Sequence, residues 1–357
     1  MAAAAAASSL GHVTSASIAR AAGLDSDPAT LQRFILTEQC KHPAASGDFS
    51  LLMSSIALAC KATAVAVKKA GIAGLYGIEG VVNVQGEDQK KLDVIANDNF
   101  VNALLSSTKV AMLISEELPE PIVVPADRAG KYIVAFDPLD GSSNIECNVS
   151  IGSIFAIYER TTDLKTACDV EKDGLQAGTK LVAAGYCMYG AATVMVLCMG
   201  ASVIASTLDP SLGEFIITNK DLRLPTPGKR IYSINEGNLK SMPAGVQAFV
   251  AECKDGAKPY SLRYVGSMVA DVHRTLCYGG IFLYPATASS KSGKLRLLYE
   301  ANPMAFLMEH AGGSASSGSC RILEVEPKGI HCRCPVIMGS PRDVDNVLAK
   351  MAAAGEC

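Results

Sequence analysis

Two apolar segments of the chain each end in a pair of acidic residues. VAMLIS leads into Glu116 and Glu117, and KYIVAF leads into Asp137 and Asp140. This pattern is typical of a buried strand whose last residues emerge at the carboxyl edge of a sheet. Carboxylates about 4 Å apart repel by roughly 4 kcal/mol at an effective dielectric constant of about 20, and a bound hard cation removes that cost. Oxygen ligands select Mg²⁺, Mn²⁺ or Ca²⁺ over zinc, so the pairing predicts a site for a hard cation.

The second acidic pair continues into a glycine-serine-serine turn. Pro138 stiffens the chain between the two aspartates, and Gly141 lets the backbone approach a ligand closely. Successive N–H groups at Gly141, Ser142 and Ser143, together with two hydroxyls, form a cradle for an anion. The alternative is a solvated β-turn at a loop tip. Four acids at two strand ends beside this turn favour a joint Mg²⁺ and phosphate site.

Several longer motifs resemble the class I fructose-1,6-bisphosphatase family. They are EGVVNVQGEDQKKLDVIANDNF, LISEE, KYIVAFDPLDGSSNIECNVSIGSIFAIY, LVAAGYCMYG, IYSINEG, RYVGSMVADVHRTL and GKLRLLYEANPMAF. The resemblance extends from about residue 31 to about residue 350. DPLDGSS alone is similar to the wider Mg²⁺-dependent, lithium-sensitive phosphatase superfamily, including inositol monophosphatases. The last two motifs narrow the resemblance to the bisphosphatase.

The resemblance implies a role for each residue of the acidic site. The metal ligands, for two or three Mg²⁺ or Mn²⁺ ions per subunit, would be Glu116, Asp137, the Leu139 carbonyl, Asp140 and Glu300. Asp93 and Glu117 would orient and deprotonate the attacking water, with Glu87 on a loop that closes over the site. Glu87 stands where the family has an aspartate.

The resemblance also implies binding sites for a sugar phosphate and for AMP. The substrate would contact Gly141, Ser142, Ser143, Asn235, Tyr264, Tyr284 and Lys294, with Arg263 reaching in from a neighbouring subunit. AMP would contact Ser46, Gly47, Asp48, Phe49, Ser50, Lys131 and Tyr132. The chain departs from the family at Asn238, where a tyrosine is usual, and at Glu159, where an arginine is usual. Arg160 follows one position later and should face away, because adjacent strand residues face opposite sides. AMP inhibition is therefore expected to be weak.

Helical and strand patterns alternate along the chain, which predicts a layered α/β protein. Helices are expected over residues 31–40, 49–70, 93–105, 244–253, 268–277, 302–310 and 341–354, with Ser340 and Pro341 as N-cap and first residue of the last one. Strands are expected over 281–284 and 335–338, and several more between 150 and 234. The family resemblance implies a helix/sheet sandwich of the sugar phosphatase type, with two halves packed around the active site. The first half, residues 29–223, would bind the metal and contain the AMP site. The second half, residues 224–357, would bind the sugar phosphate. An extension at residues 1–28 is expected to be disordered.

Composition excludes several classes of protein. A net charge of −3 with scattered lysine pairs gives no basic surface for nucleic acid. The 28 uncharged residues from 181 to 208 are long enough for a bilayer, but Gly185, Gly190 and Gly200 divide them into lengths typical of buried strands. No membrane partner is expected.

The twelve cysteines are expected to be buried free thiols, and HCRC at 331–334 lacks a second ligand pair for zinc. The Ala- and Ser-rich start weakly resembles a transit peptide, but a cytoplasmic location is favoured over a plastid.

The resemblance implies that the chain hydrolyses the 1-phosphate of fructose 1,6-bisphosphate in gluconeogenesis, as a homo-oligomer that by family resemblance is a tetramer. Two alternatives stay open. One is activity on sedoheptulose 1,7-bisphosphate, which presents the same reacting end. The other is a catalytically silent regulator that binds sugar phosphate.

Overall fold

The computed structural model describes residues 28–82 and 88–356, so the N-terminal extension and Glu87 lie outside the described residues. The chain begins with a layer of three helices: α1 (Leu31–Gln39), α2 (Asp48–Lys69) and α3 (Lys91–Ser106). The short strands β1 (Ile78–Val82) and β2 (Asp88–Lys90) pair between α2 and α3. α2 is long and apolar enough to cross a bilayer by length and composition, but Leu52, Met53 and Ile56 on it are buried in the protein core.

An eight-stranded sheet packs against these helices. Its strands are β3 (Val110–Ser115), β4 (Ile122–Val123), β5 (Tyr132–Asp140), β6 (Ile151–Glu159), β7 (Leu181–Tyr189), β8 (Thr193–Cys198), β9 (Val203–Asp209) and β10 (Glu214–Asn219). They lie in the order β10-β9-β8-β7-β6-β5-β3-β4. β3 and β5 pair in parallel, and every other pair in this sheet is antiparallel.

The second half contains a five-stranded mixed sheet and four more helices. The sheet order is β12-β11-β13-β17-β15, formed by β11 (Ile231–Ser233), β12 (Ser261–Leu262), β13 (Ile281–Tyr284), β15 (Ser314–Ser316) and β17 (Val336–Gly339). β14 (Leu295–Arg296) pairs separately with β16 (Arg333–Cys334). The helices are α4 (Ala244–Asp255), α5 (Met268–Tyr278), α6 (Asn302–His310) and α7 (Pro341–Ala353).

Alternating side chains of the large sheet face two different cores. On β5, Val134 and Phe136 pack with α1, α2 and α3, whereas Ile133 and Ala135 pack with α5 and α6. A third core lies between the smaller sheet and helices α4 and α7. Truncation of a fully buried ring such as Phe136 to alanine costs about 3–5 kcal/mol. The predicted layered α/β architecture is confirmed, and α5 and α6 lie between the two sheets.

Two local predictions from the sequence were wrong. The repeated glycines Gly71, Gly74, Gly77 and Gly80 predict a loop after α2, but Gly80 lies inside β1. Gly185 does not divide the uncharged segment but lies within β7, where a Cβ atom would come within 2.5 Å of Phe155 Cζ. The prediction of Ser340 as N-cap and Pro341 as first residue of α7 is confirmed, although the Ser340 hydroxyl accepts from the Gly280 N–H at 3.0 Å and makes no capping bond to the helix.

The cysteine expectation is half right. The described cysteines are all free, and six of them are buried. The expectation of burial is wrong for Cys40, Cys147, Cys277 and Cys320, which are exposed.

Candidate active site

The two predicted acidic strand ends lie side by side. β3 and β5 are parallel neighbours, with Ser115 opposite Phe136, and the Glu116 N–H donates to the Phe136 carbonyl at 3.1 Å. Both strands are buried along their whole length, which fixes their register because their apolar side chains alternate between two cores. Glu116 and Asp137 therefore emerge at the same edge of the sheet.

The segment after Phe136 remains in the strand and is held by specific hydrogen bonds. The Leu139 N–H donates to Asp137 Oδ1 at 2.9 Å. Asp140 Oδ2 accepts from the Val269 N–H at 2.9 Å and from Ser267 Oγ at 3.4 Å, which joins this strand to the start of α5. The N-terminal end of a helix favours a negative charge at this position.

Gly141 makes the turn that follows. Its φ of 79° lies in the left-handed region, and a Cβ atom there would lie 2.8 Å from Ser267 Oγ. A larger residue would be strained and would push α5 away from Asp140. The two serines then begin a short 3₁₀-helix, Ser142–Cys147.

Glu300 reaches the same place from the second half of the chain. It lies in a single π-helical turn, Leu297–Ala301, directly before α6. Its Oε2 accepts from the Arg296 N–H at 2.5 Å. Such π-turns inside helices are frequent at functional sites because they re-aim one side chain.

Asp137, Asp140 and Glu300 form one buried cluster. One oxygen of each carboxylate lies within 4.8 Å of the others, and the three residues are only 2%, 9% and 7% exposed. Within the described residues, none of the three forms an ion pair with lysine, arginine or histidine. Burial, and then repulsion from Glu116, raises the pKa values of Asp137 and Glu300 well above their usual range. Burial raises the pKa of Asp140 to about 6.

The hard oxygen donors of this cluster fit a divalent metal ion. A cation would remove the repulsion that raises these pKa values and would keep the carboxylates ionised at neutral pH. Within the described residues this is the only group of three or more His, Cys, Asp or Glu side chains close enough to hold a metal ion. The HCRC segment therefore forms no such group.

A cavity of about 650 Å³, here called the acid cavity, contains the cluster. The predicted site residues on its wall are Asp93, Glu116, Glu117, Asp137, Leu139, Asp140, Gly141, Ser142, Ser143, Asn235, Tyr264, Tyr284, Lys294 and Glu300. Asp93, in the first turn of α3, accepts from the Lys90 N–H at 2.9 Å. Arg263 does not line the cavity; its Nη1 donates to the Leu262 carbonyl at 2.8 Å.

Sequence reasoning missed four charged residues that line the acid cavity: Lys90, Asp271, Arg296 and Arg333. Asp271 is fully buried, and it accepts from the N–H groups of Val265 and Gly266 and pairs with Arg274 at 2.7 Å. The sequence did contain a signal for Asp271, because it places this charged residue on the apolar face of the helix predicted over residues 268–277. Arg296 lay within a quoted motif, but Arg333 had no signal in the sequence.

A second cavity of about 660 Å³, here called the α1–α2 pocket, shares no lining residue with the acid cavity. Its wall includes every residue assigned to the AMP site by resemblance: Ser46, Gly47, Asp48, Phe49, Ser50, Lys131 and Tyr132. Asp48 pairs with Lys109 at 2.8 Å, and Lys131 pairs with Glu159 at 3.1 Å. Arg160 does not line the pocket; its guanidinium donates to Thr162 Oγ1 at 2.7 Å and to the carbonyls of the following loop.

The fold and the acid cavity together define an α/β protein with a buried carboxylate site of the kind that holds hard divalent cations. Two family models match the chain: "Fructose-1-6-bisphosphatase, N-terminal domain" over residues 29–220 and "Fructose-1-6-bisphosphatase, C-terminal domain" over residues 225–352. The chain therefore belongs to the fructose-1,6-bisphosphatase family.

Relatives and a solved structure support the same family assignment. The chain is 54% identical over 333 residues to "Fructose-1,6-bisphosphatase, cytosolic" of Solanum tuberosum, covering 92% of this chain and 96% of the relative. It is 54% identical over 330 residues to the protein of the same name in Arabidopsis thaliana, covering 91% and 95%. The holo crystal structure of Leishmania major fructose-1,6-bisphosphatase superposes with a TM-score of 0.86 at 44% identity, covering 91% of this chain and 99% of that one.

Proposed function

We propose that the protein is a cytosolic, Mg²⁺-dependent phosphatase that hydrolyses the 1-phosphate of fructose 1,6-bisphosphate in gluconeogenesis. The observation that carries the proposal is the buried cluster of Asp137, Asp140 and Glu300 in a cavity whose wall also carries Lys294 and two tyrosines. A sugar bisphosphate has two anionic ends, and this cavity offers a metal site for one and a cation with hydroxyl donors for the other. Family membership and the names of the relatives support the substrate and the location.

The carboxylates of Asp137, Asp140, Glu300 and Glu116, with the Leu139 carbonyl, would hold two or three Mg²⁺ ions. When bound, the metal supplies charge stabilisation for the attacking and leaving oxygens of an in-line displacement. The cluster is buried and rich in negative charge, which is why the same residues repel a phosphate unless a cation is present.

The remaining residues would orient the substrate and move one proton. Asp93 and Glu117 would position the attacking water and accept its proton as the water oxygen bonds to phosphorus. The bond from phosphorus to the sugar oxygen would then break, and the sugar oxygen would take up a proton, giving fructose 6-phosphate and inorganic phosphate. The N–H groups and hydroxyls of Ser142 and Ser143 would hold the reacting phosphate.

The second phosphate would bind at the other end of the acid cavity. Lys294 supplies a cation there, and Asn235, Tyr264 and Tyr284 supply directional hydrogen bonds. Arg263 would act in trans, from a neighbouring subunit of a tetramer. The division near residue 223 into a metal-binding half and a sugar-phosphate-binding half, and weak AMP binding in the α1–α2 pocket, belong to the same proposal.

Phosphate release tests the function directly. Purified protein should release phosphate from fructose 1,6-bisphosphate with Mg²⁺ and lose this activity with excess EDTA. Sedoheptulose 1,7-bisphosphate and inositol 1-phosphate serve as comparison substrates, ranked by kcat/KM. A higher kcat/KM for either one would overturn the assignment, and binding of the bisphosphate without turnover would favour a silent regulator.

A further inference from the structure

His331 connects two acidic segments of the cavity through both of its ring nitrogens. Nε2 lies 3.0 Å from the Leu118 carbonyl oxygen, in the loop that carries Glu116 and Glu117. Nδ1 lies 2.8 Å from the hydroxyl of Tyr299, the residue directly before Glu300. The first segment follows β3 and the second precedes α6, so one imidazole joins the two halves of the chain.

The hydrogen-bond partners fix the tautomer of this ring. A carbonyl oxygen can only accept, so Nε2 must carry the proton and donate to Leu118. In a neutral imidazole Nδ1 is then an acceptor, and the Tyr299 hydroxyl donates to it. Burial lowers the pKa of His331 and supports the neutral form. Both contacts are thus complete hydrogen bonds with defined directions.

The ring is itself held on a rigid support. The rings of Tyr299 and His331 meet edge to face with centroids 6.0 Å apart, and Tyr299 is fully buried. The carbonyl oxygen of the next residue, Cys332, accepts from the Leu297 N–H at 2.8 Å. Directly after it, β16 pairs with β14. The chain that carries His331 therefore cannot shift without disturbing the π-helical turn that carries Glu300.

The acidic segments need such a tie because their charges repel each other. Glu116 and Glu300 both line the acid cavity, and like charges that share one site disfavour joint ionisation. His331 does not line the acid cavity, so it touches neither the cluster nor the space for a ligand. Its contacts act on the backbone and on the neighbouring side chain.

We propose that His331 is a positioning residue that holds the Glu116–Glu117 loop and Glu300 at the spacing that a shared metal centre needs. This inference rests on the proposed function, because it assumes that these carboxylates bind a divalent cation. Residues that orient metal ligands typically change metal affinity or activity by about 10- to 100-fold when they are replaced.

Direct Mn²⁺ binding to the substrate-free protein tests the proposal. His331→Ala removes both hydrogen bonds and should weaken Mn²⁺ affinity, measured by electron paramagnetic resonance, by at least about tenfold. The Mg²⁺ concentration for half-maximal activity should rise in parallel, whereas KM for fructose 1,6-bisphosphate at saturating Mg²⁺ should change little. His331→Gln keeps a donor for Leu118 and His331→Asn keeps a polar group for Tyr299, so each should recover part of the affinity.

His310→Ala is the matched control. His310 is also half-buried, with Nδ1 2.8 Å from the Phe306 carbonyl oxygen and its ring against Phe306, but it lies outside the acid cavity. Its replacement should lower the melting temperature without changing Mn²⁺ affinity. The same result for His331→Ala would overturn the proposal. If that variant does not fold, wild-type Mn²⁺ affinity in both His331→Gln and His331→Asn would overturn it. Absence of Mn²⁺ binding in the unmodified protein would instead overturn the proposed function, and the positioning role with it.

Discussion

The acid cavity and the α1–α2 pocket have nearly the same volume but opposite electrostatics. Four charged residues on the wall of the α1–α2 pocket form ion pairs: Glu38 with Lys41, Asp48 with Lys109, and Lys131 with Glu159. Lys109 lowers the pKa of Asp48 through a hydrogen bond. In the acid cavity the pKa values of Asp137, Asp140 and Glu300 are all raised, mainly by burial.

The difference shows which pocket requires a ligand to complete its charge balance. A paired pocket is electrostatically satisfied when empty, and a ligand must compete with internal ion pairs. A cluster of buried carboxylates costs stability when empty and gains it back when a cation binds. We therefore expect large ligand effects at the acid cavity and small ones at the α1–α2 pocket.

Removal of one charge from the cluster should have the largest effect. Asp140→Asn or Glu300→Gln should lower kcat by at least about 10²-fold, because each removes the charge of a proposed metal ligand. Each variant keeps an oxygen that can accept from Val269 or Arg296, so the fold should persist. The measurements are kcat at saturating Mg²⁺ and circular dichroism.

Asp209→Asn makes the same substitution elsewhere. Asp209 accepts from the Ser211 and Leu212 N–H groups in a surface turn, outside the acid cavity. The kcat of the Asp209→Asn variant should equal that of the wild type. Near-normal kcat in both cluster variants would contradict the metal assignment.

Metal binding should also change the pH dependence of stability. In the metal-free protein the folded-state pKa of Asp140 is raised from 3.8 to about 6, so its contribution is fully present below pH 3.8 and is lost as pH rises through about 6. Mg²⁺ at 100 times its Kd should restore about 2.7 kcal/mol at pH 7, and less at pH 5, where protons compete with the cation. Urea unfolding at the two pH values, with EDTA or with Mg²⁺, measures the pH dependence of stability and the effect of Mg²⁺ on it.

An equal Mg²⁺ effect at the two pH values would contradict this account. The stability of the Asp140→Asn variant should depend less on pH than that of the wild type.

The sequence predicted the elements near the acids well because their signals are local. The two strand ends, the glycine turn at Gly141 and the helix starting at Met268 each follow from residue pattern within a few positions. The π-helical turn at Glu300 and the contacts of His331 did not follow, because they depend on residues brought together from distant parts of the chain. Residue roles in the acid cavity came from family resemblance, since spacing alone does not say which carboxylate faces which ligand.

The α1–α2 pocket offers the next contrast, with a smaller expected effect. Glu159 stands where the family has an arginine; it does not line this pocket, but it holds the lining residue Lys131 in an ion pair. Glu159→Arg should free Lys131 and strengthen AMP binding by about 1–3 kcal/mol, or about 5- to 150-fold. Titration of activity with AMP measures it.

Glu214→Arg is the matched control, because Glu214 also pairs with a lysine, Lys61, at 2.8 Å outside the α1–α2 pocket. Its AMP response should equal that of the wild type. Strong inhibition of the unmodified protein by micromolar AMP would show that the paired pocket already binds the nucleotide and that the contrast between the two cavities is wrong.

The smallest expected effect lies beyond the sugar end of the acid cavity, at Asn238. The exposed Asn238 follows Asn235 in a 3₁₀ turn, where its N–H donates to the Asn235 carbonyl at 3.1 Å and its own carbonyl accepts from Ser241 at 2.8 Å. The backbone is thus fixed while the side chain is not part of the cavity wall.

Asn238→Tyr should add one hydrogen-bond donor to the phosphate. This donor should be worth about 1 kcal/mol, or about a fivefold lower KM for fructose 1,6-bisphosphate. The turnover number should stay the same, because in the proposed binding mode this end holds the second phosphate and not the reacting one. Asn238→Phe presents the same ring without the hydroxyl and should leave KM unchanged. An equal decrease in KM for both variants would assign the effect to ring packing, and no decrease for either would show that the hydroxyl does not reach the phosphate.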